Sequence, residues 1–363
     1  LKQTPPAYHG ALDYVELEQL GLDPETILDF SVNSNPYGPS PLVGRALAGV
    51  PLERYPDREA LALRRALAGR LDLDPAQLVV GNGAAELLWL IAFTFLGPAD
   101  PVLVIGPTFG EYSRLASLVG GRVSHWQAQA ADHFALNLAE ISQRLATLQP
   151  RLTFLCNPNN PTGVILPAEN IAAWVERFPQ TLFVIDEAYL PFAPGLASAL
   201  TIAANNILLV RSMTKDYALA GLRLGYALSR NKALVEVLAL ARPAWNVNAL
   251  AQAAGLAALG DDAHHERSLA QLRLASQQLR QGLVDAGFWP HPSATHYFLL
   301  PVNDAVSFRR TLLQQGLLVR DCASFGLPDY VRIATRRPAE NERLLAAVRG
   351  LTGASRPVRV TPS

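Results

Sequence analysis

The sequence predicts an α/β protein: a large domain with a mostly parallel seven-stranded sheet between helices, and a smaller α+β domain after it. Three observations carry this. Short, mostly apolar runs recur at 78–80, 102–105, 122–126, 152–155, 182–185, 207–210 and 224–228, and most are separated by amphipathic stretches of about a dozen residues. That alternation is the pattern of βαβ units, whose helices cover both faces of a parallel sheet. After 241 the pattern changes to longer helical stretches, and half of the 363 residues are apolar while 17% are charged, enough for a sizeable core. The expected divisions are an N-terminal segment over 1–40 that joins the small domain, a large domain over 41–243 and a small domain over 244–363.

Taken in order, 1–30 is polar, with one short helix at 14–20. Residues 29–41, D-F-S-V-N-S-N-P-Y-G-P-S-P, are dense in turn formers and read as a long loop, which is more often functional than idle. Tyr55 and Pro56 then lead into a helix over 58–71 rich in Leu, Ala and Arg. In open parallel sheets, sites form beyond the carboxyl ends of strands, so the loops after each run are where chemistry is expected. After 78–80 come Gly83, Ala84 and Ala85, small residues opening a helix whose free N–H groups suit an anion. After 102–105 comes Phe109, an aromatic that would face the same crevice. After 152–155 comes C-N-P-N-N-P-T-G, a rigid turn in which Asn157 is the first residue past the strand, with its amide expected in the crevice. After 182–185 comes Asp186, a carboxylate at the end of a buried strand, where a cation is needed to offset its burial, and then Tyr189. The second domain is read as helices at 249–260, 263–287, 306–315 and 338–351 and strands at 297–302, 317–320 and 330–334. Arg320 and Arg332 lie on two of those strands, where a buried arginine calls for a carboxylate or phosphate partner.

Composition narrows the class. Thirty-one basic and thirty-one acidic residues give zero formal charge, which offers no electrostatic case for nucleic acid or an anionic membrane as partner. Two cysteines, Cys156 and Cys322, form neither a disulfide framework nor a metal-ligand spacing. The most apolar window, 87–96, is about half of what a membrane-spanning helix needs. No secretory pattern opens the sequence. A reducing, cytoplasmic setting is expected.

The stretch 211–225, R-S-M-T-K-D-Y-A-L-A-G-L-R-L-G, organises the rest. Ser212, Thr214 and Arg223 suit a phosphate group between them, and Lys215 sits inside that set. Such a lysine either pairs with the phosphate or forms a Schiff base with a carbonyl cofactor that carries one.

P-N-N-P-T-G, D-E-A-Y, S-x-T-K and L-R-L-G-Y, in this order over nearly the whole chain, resemble the fold-type I pyridoxal-phosphate enzymes of the aminotransferase family (class I/II). The resemblance implies pyridoxal 5′-phosphate as cofactor, with Lys215 bonded to its aldehyde and later moving the proton. It implies Asp186 on the pyridinium nitrogen, Tyr189 and Asn157 on the ring oxygen, and Phe109 on the ring face. Gly83, Ala84, Ala85, Ser212, Thr214 and Arg223 would hold the phosphate, and Tyr55 would reach the phosphate of the partner subunit in a homodimer with shared active sites. Arg332 would bind the substrate carboxylate. Two branches fit. H-G-A…D-P-E-T-I-L-D-F-S-V-N-S-N-P, W-N-V-N-A-L-A-Q-A-A-G and V-R-D-C-A-S-F-G-L are similar to threonine-phosphate decarboxylases of cobalamin biosynthesis, and histidinol-phosphate aminotransferases come next. Ala11, where that pattern has glycine, and Ala244, an extra residue before Trp245, depart from it. Both branches take a phosphorylated amino-acid-like small molecule, for whose phosphate Arg320, His9, Asn33 and Ser34 are the candidates. A regulator built on the same domain would carry an added DNA-binding segment and a basic face, and neither is present.

Overall fold

The computed structural model describes residues 10–351. Twelve strands form three sheets: β1 Leu28–Asp29, β2 Leu78–Gly81, β3 Pro101–Gly106, β4 Arg122–Gln127, β5 Leu152–Cys156, β6 Leu182–Asp186, β7 Ile207–Ser212, β8 Gly225–Leu228, β9 Tyr297–Pro301, β10 Leu317–Leu318, β11 Arg320–Asp321 and β12 Tyr330–Ala334. The main sheet has the order β2-β8-β7-β6-β5-β3-β4. Its pairs are parallel except those of β8, which runs antiparallel to both β2 and β7. The reason is local. A parallel return needs a crossover long enough to carry the chain back, and the link from β7 to β8 contains only the short 3-10 turn Ala220–Leu222. The antiparallel return brings the start of β8 beside the carboxyl end of β7, so Arg223 arrives at the same edge as Ser212.

Period-2 alternation splits the strand residues between two cores. Val80, Ile105, Leu155, Ile185 and Leu209 pack on one face with Ile141, Ile171 and Trp174. Val79, Val104, Phe154, Val184 and Val210 pack on the other with Leu87, Ile91 and Tyr112. The helices Gly83–Phe95, Glu111–Leu118, Leu138–Leu148 and Ala168–Arg177 supply those layers.

A third core fills the C-terminal part, where β11, β12 and β9 form an antiparallel sheet backed by the helices Asp262–Asp285, Ala305–Leu313 and Pro338–Arg349. β1 pairs in parallel with β10 as a separate two-stranded sheet, tying residues near the N-terminus to the C-terminal part. The run expected as one strand at 317–320 is divided. Leu317 and Leu318 pair with β1, whereas Arg320 pairs across from Arg332, so the chain changes sheets at Val319. The loop expected to run to 41 ends one residue earlier. Ser40 Oγ accepts the N–H of Leu42 at 3.1 Å, and Pro41 opens the helix Pro41–Ala48, its missing N–H costing nothing in the first turn. The helix expected from 58 begins at Leu61, because Asp57 takes the N–H groups of Glu59 and Leu61 and Ala60 has a φ of 45°. No helix of the described residues is long and apolar enough to cross a membrane.

Candidate active site

Beyond the carboxyl ends of β5, β6 and β7 lies a partly open cavity. Asp186, the last residue of β6, forms part of its wall and is 6% exposed. Its Oδ2 accepts the Tyr112 hydroxyl at 2.6 Å and its Oδ1 the Ala188 N–H at 2.9 Å. Burial raises its pKa, and these two donors together with Lys215 pull it partly back. A buried carboxylate in that state is ready for a stronger cation than any side chain placed on it here. Lys215 enters the cavity from the loop after β7. Its carbonyl is pinned by the Asn35 N–H at 2.9 Å, and its Nζ stands 5.9 Å from the centre of the Tyr189 ring. Burial, helped by the charges of Arg332 and Arg223 and opposed by Asp186, lowers its pKa from 10.5 to about 8.

At one end the cavity narrows to an anion cup. The helix Gly83–Phe95 begins there, and the first N–H groups of any α-helix lack an intrahelical acceptor. Gly83 has a φ of +80°, and a Cβ on it would sit 2.8 Å from Arg223 Nη2. A Cβ on Gly225 would come within 2.6 Å of the Ala84 nitrogen. Helix start, arginine and strand thus pack at glycine distance. Ser212 Oγ and Thr214 Oγ1 lie 2.6 Å apart beside them, and Ala84, Ala85 and Arg223 complete the lining.

Arg332 and Arg320 face each other across β12 and β11 and do not line the cavity themselves; Arg332 meets it through the lining residue Asn160. Arg332 is 5% exposed and donates to two neutral oxygens, Asn160 Oδ1 and the Ser31 carbonyl. Among the described residues it has no carboxylate partner, and its Nε is buried without an acceptor. Arg320, its cross-strand neighbour, is 2% exposed, donates to Ser324 Oγ at 2.6 Å and lies 3.6 Å from Asp321. Asn33 is buried with neither amide atom satisfied, although it lies near enough to the Tyr189 hydroxyl to lower that group's raised pKa somewhat. Ser34 reaches the Thr214 carbonyl at 3.5 Å.

This geometry is found in a chain whose residues 25–348 match the family model of aminotransferase classes I and II. The chain belongs to that family. It is similar to the histidinol-phosphate aminotransferase of Symbiobacterium thermophilum, with 36% identity over 92% of each chain. It is equally similar to the threonine-phosphate decarboxylase of Salmonella typhimurium, with 35% identity over 92% of this chain and 94% of the relative. Among solved structures it superposes on the histidinol-phosphate aminotransferase of Sinorhizobium meliloti in complex with pyridoxal 5′-phosphate, at a TM-score of 0.85, 26% identity and coverage of 97% and 99%. The L-threonine-O-3-phosphate decarboxylase of Porphyromonas gingivalis gives 0.77, 28% identity, and 88% and 97%. The family's cofactor is pyridoxal 5′-phosphate. The residues present fit it: a buried carboxylate of raised pKa, an amine of lowered pKa in the same cavity, and a cup of hydroxyls, N–H groups and a guanidinium.

The fold gathers Ala84, Ala85, Phe109, Asp186, Tyr189, Ser212, Thr214, Lys215 and Arg223 on this one cavity. Phe109 meets Tyr112 edge-on at 5.6 Å. Asn157 departs from its expected direction. Its Nδ2 donates to the Leu166 carbonyl at 2.8 Å and its Oδ1 accepts the Leu166 N–H at 2.9 Å, so both polar atoms are spent behind the cavity rather than in it. Asn160, three residues on, faces the cavity instead. Tyr55 is 80% exposed and packs at a tilt of 35° against Trp245 at 4.8 Å, outside its own chain's cavity. His9 lies outside the described residues. Asn160 lies inside the P-N-N-P-T-G motif, where counting from the strand end picks Asn157 instead, and Tyr112 is not among the site residues expected from the sequence; their placement against Arg332 and Asp186 reveals them.

Proposed function

We propose that this enzyme decarboxylates L-threonine O-3-phosphate to (R)-1-amino-2-propanol phosphate, a step of cobalamin synthesis, in a cytoplasmic homodimer. The observation that carries the reading is the register pair Arg320 and Arg332, two buried arginines at facing positions of neighbouring strands, of which Arg332 donates to neutral oxygens. A substrate with a carboxylate and a phosphate on neighbouring carbons would satisfy both at once. Arg332 takes the carboxylate, and Arg320 with Asn33, Ser34 and His9 takes the phosphate.

The cofactor phosphate is held by the N–H groups at Gly83, Ala84 and Ala85, by Ser212, Thr214 and Arg223, and by Tyr55 of the other subunit. Phe109 covers one face of its ring, Tyr189 and Asn160 stand at the ring oxygen, and Asp186, fixed by Tyr112, keeps a proton on the ring nitrogen. When bound, the cofactor supplies an electron sink for the substrate α-carbon. Lys215 holds the cofactor's aldehyde carbon and, once released, moves a proton at that α-carbon. With a pKa of about 8, the free amine is neutral in a useful fraction of molecules near pH 7.

Histidinol-phosphate transamination is the second reading, favoured by the run of such aminotransferases among the similar proteins. Histidinol phosphate has no carboxylate, so Arg332 would serve only the oxo-acid half of that reaction. The test is incubation with O-phosphothreonine, measuring CO₂ and aminopropanol phosphate, beside histidinol phosphate with 2-oxoglutarate, measuring glutamate. CO₂ release is expected; glutamate without CO₂ would overturn the decarboxylase assignment.

A further inference from the structure

A second groove opens between the helix Asp262–Asp285, the turn after β6 and the segment leading into β9. Arg273, Ser276 and Arg280 line it from the helix, and Thr295 and His296 from the other wall. Among the described residues no acidic side chain lines it. Arg280 donates to the carbonyls of Ser293 at 3.1 Å and Thr295 at 2.8 Å, both neutral, and its Nε is buried without an acceptor. Burial with no acid nearby lowers Arg280 to about 10. His296 is 3% exposed, and neither ring nitrogen has a hydrogen-bond partner. Burial and the charges of Arg332, Lys215 and Arg280 hold its pKa near 3, so the ring is neutral and offers one N–H.

Each of these features is costly as it stands. A buried polar atom without a partner has given up its hydrogen bond to water and gained none, and cations on a partly buried wall with no counter-charge repel one another. A bound anion offsets both. Guanidiniums and hydroxyl or imidazole donors suit phosphate oxygens in particular. Phe192, Leu269 and Leu272 on the same walls give the rest of such a molecule an apolar surface.

We propose that this groove is a second small-molecule site that binds a phosphate ester through Arg273, Arg280 and His296. It is separate from the Lys215 cavity, which it approaches through His296, whose neighbour Tyr297 packs on Tyr189 at 4.9 Å, and through Phe192, whose ring lies 6.5 Å from that of Tyr189.

The test uses cofactor-loaded enzyme with ring-¹⁵N histidine, the His296 signal being assigned by its loss in His296→Asn. At fixed ionic strength the protein is titrated with glycerol 3-phosphate, inorganic phosphate and glycerol. The His296 signal is expected to move with the ester, to half-saturate at lower concentration than with inorganic phosphate, and to ignore glycerol. Arg273 is exposed, so its variants are expected to fold; Arg273→Glu raises the half-saturating concentration at least tenfold and Arg273→Gln raises it less. No movement with either phosphate, or the same movement in Arg273→Glu, overturns the site, the second result assigning the response to the active-site arginines. Equal half-saturation by inorganic phosphate and the ester overturns the assignment to an ester.

Discussion

Replacing Lys215 with methionine should make the cofactor-free protein more stable at neutral pH. An amine whose pKa falls from 10.5 to about 8 on folding is held charged at pH 7 against its surroundings, at up to about 3 kcal/mol, taking about 1.4 kcal/mol for each tenfold. The sign follows from proton binding. Between pH 8 and 10.5 the unfolded chain keeps a proton that the folded chain has released, so the stability of the native protein rises with pH across that window relative to a variant lacking the amine. Methionine matches the length of the stem and adds no charge. The advantage of Lys215→Met over the parent should therefore be as large as about 3 kcal/mol at pH 7 and shrink toward the packing difference alone by pH 10.5. Urea unfolding of both proteins, stripped of cofactor, at pH 7, 8.5 and 10 gives the comparison. If Lys215→Met is no more stable than the parent at pH 7, or if its advantage is the same at all three pH values, the lysine is not held in the state argued for it. The same protein should take up pyridoxal phosphate without forming the covalent link, visible as cofactor that borohydride no longer fixes to the protein.

Asp186→Ala should reduce kcat by about a hundredfold or more, the range expected when a buried charge partner of the reacting group is lost, while the protein stays folded; steady-state kinetics beside near-UV circular dichroism checks both. Gly225→Ala places a methyl 2.6 Å from the Ala84 nitrogen, so it should cost about 1–3 kcal/mol of stability and weaken cofactor binding at least tenfold, read by fluorescence titration. Asn157→Ala should act on stability, by about 1–3 kcal/mol for two buried backbone partners left unpaired, whereas Asn160→Ala should act chiefly on KM for carboxylate substrates through Arg332. A larger KM effect from Asn157 than from Asn160 would reverse their placement. Tyr55→Phe should weaken cofactor binding only in protein that sediments as a dimer.

Apart from the polar edge strand β4, the strands of the main sheet were legible because each is a short apolar run bounded by turn formers, and burial on both faces leaves little else for such a run to do. Lys215, Asp186, Tyr189, Ser212 and Thr214 were legible because they sit at strand ends, where the fold class already places chemistry. Asn157 shows the limit of that rule. Counting from the end of β5 points its amide at the crevice, but the turn that follows offers the Leu166 N–H and carbonyl, and a buried amide takes the partners within reach. The division of 317–320 between two sheets was hidden for a similar reason, since Leu317 and Arg320 differ in which distant strand they meet and not in local propensity.

Local pattern by itself determined the α/β class, the order of the elements and the chemistry available in the loops, because these depend on alternation, turn residues and side-chain type along the chain. Tertiary structure alone decided which groups share a cavity, that β8 turns back and delivers Arg223 to the start of the helix at Gly83, that Tyr112 braces Asp186, and that Arg332 is buried without an acid. Those facts depend on burial and on distances between residues far apart in sequence, and a pKa near 8 at Lys215 arises from that packing and from nothing in its neighbours along the chain.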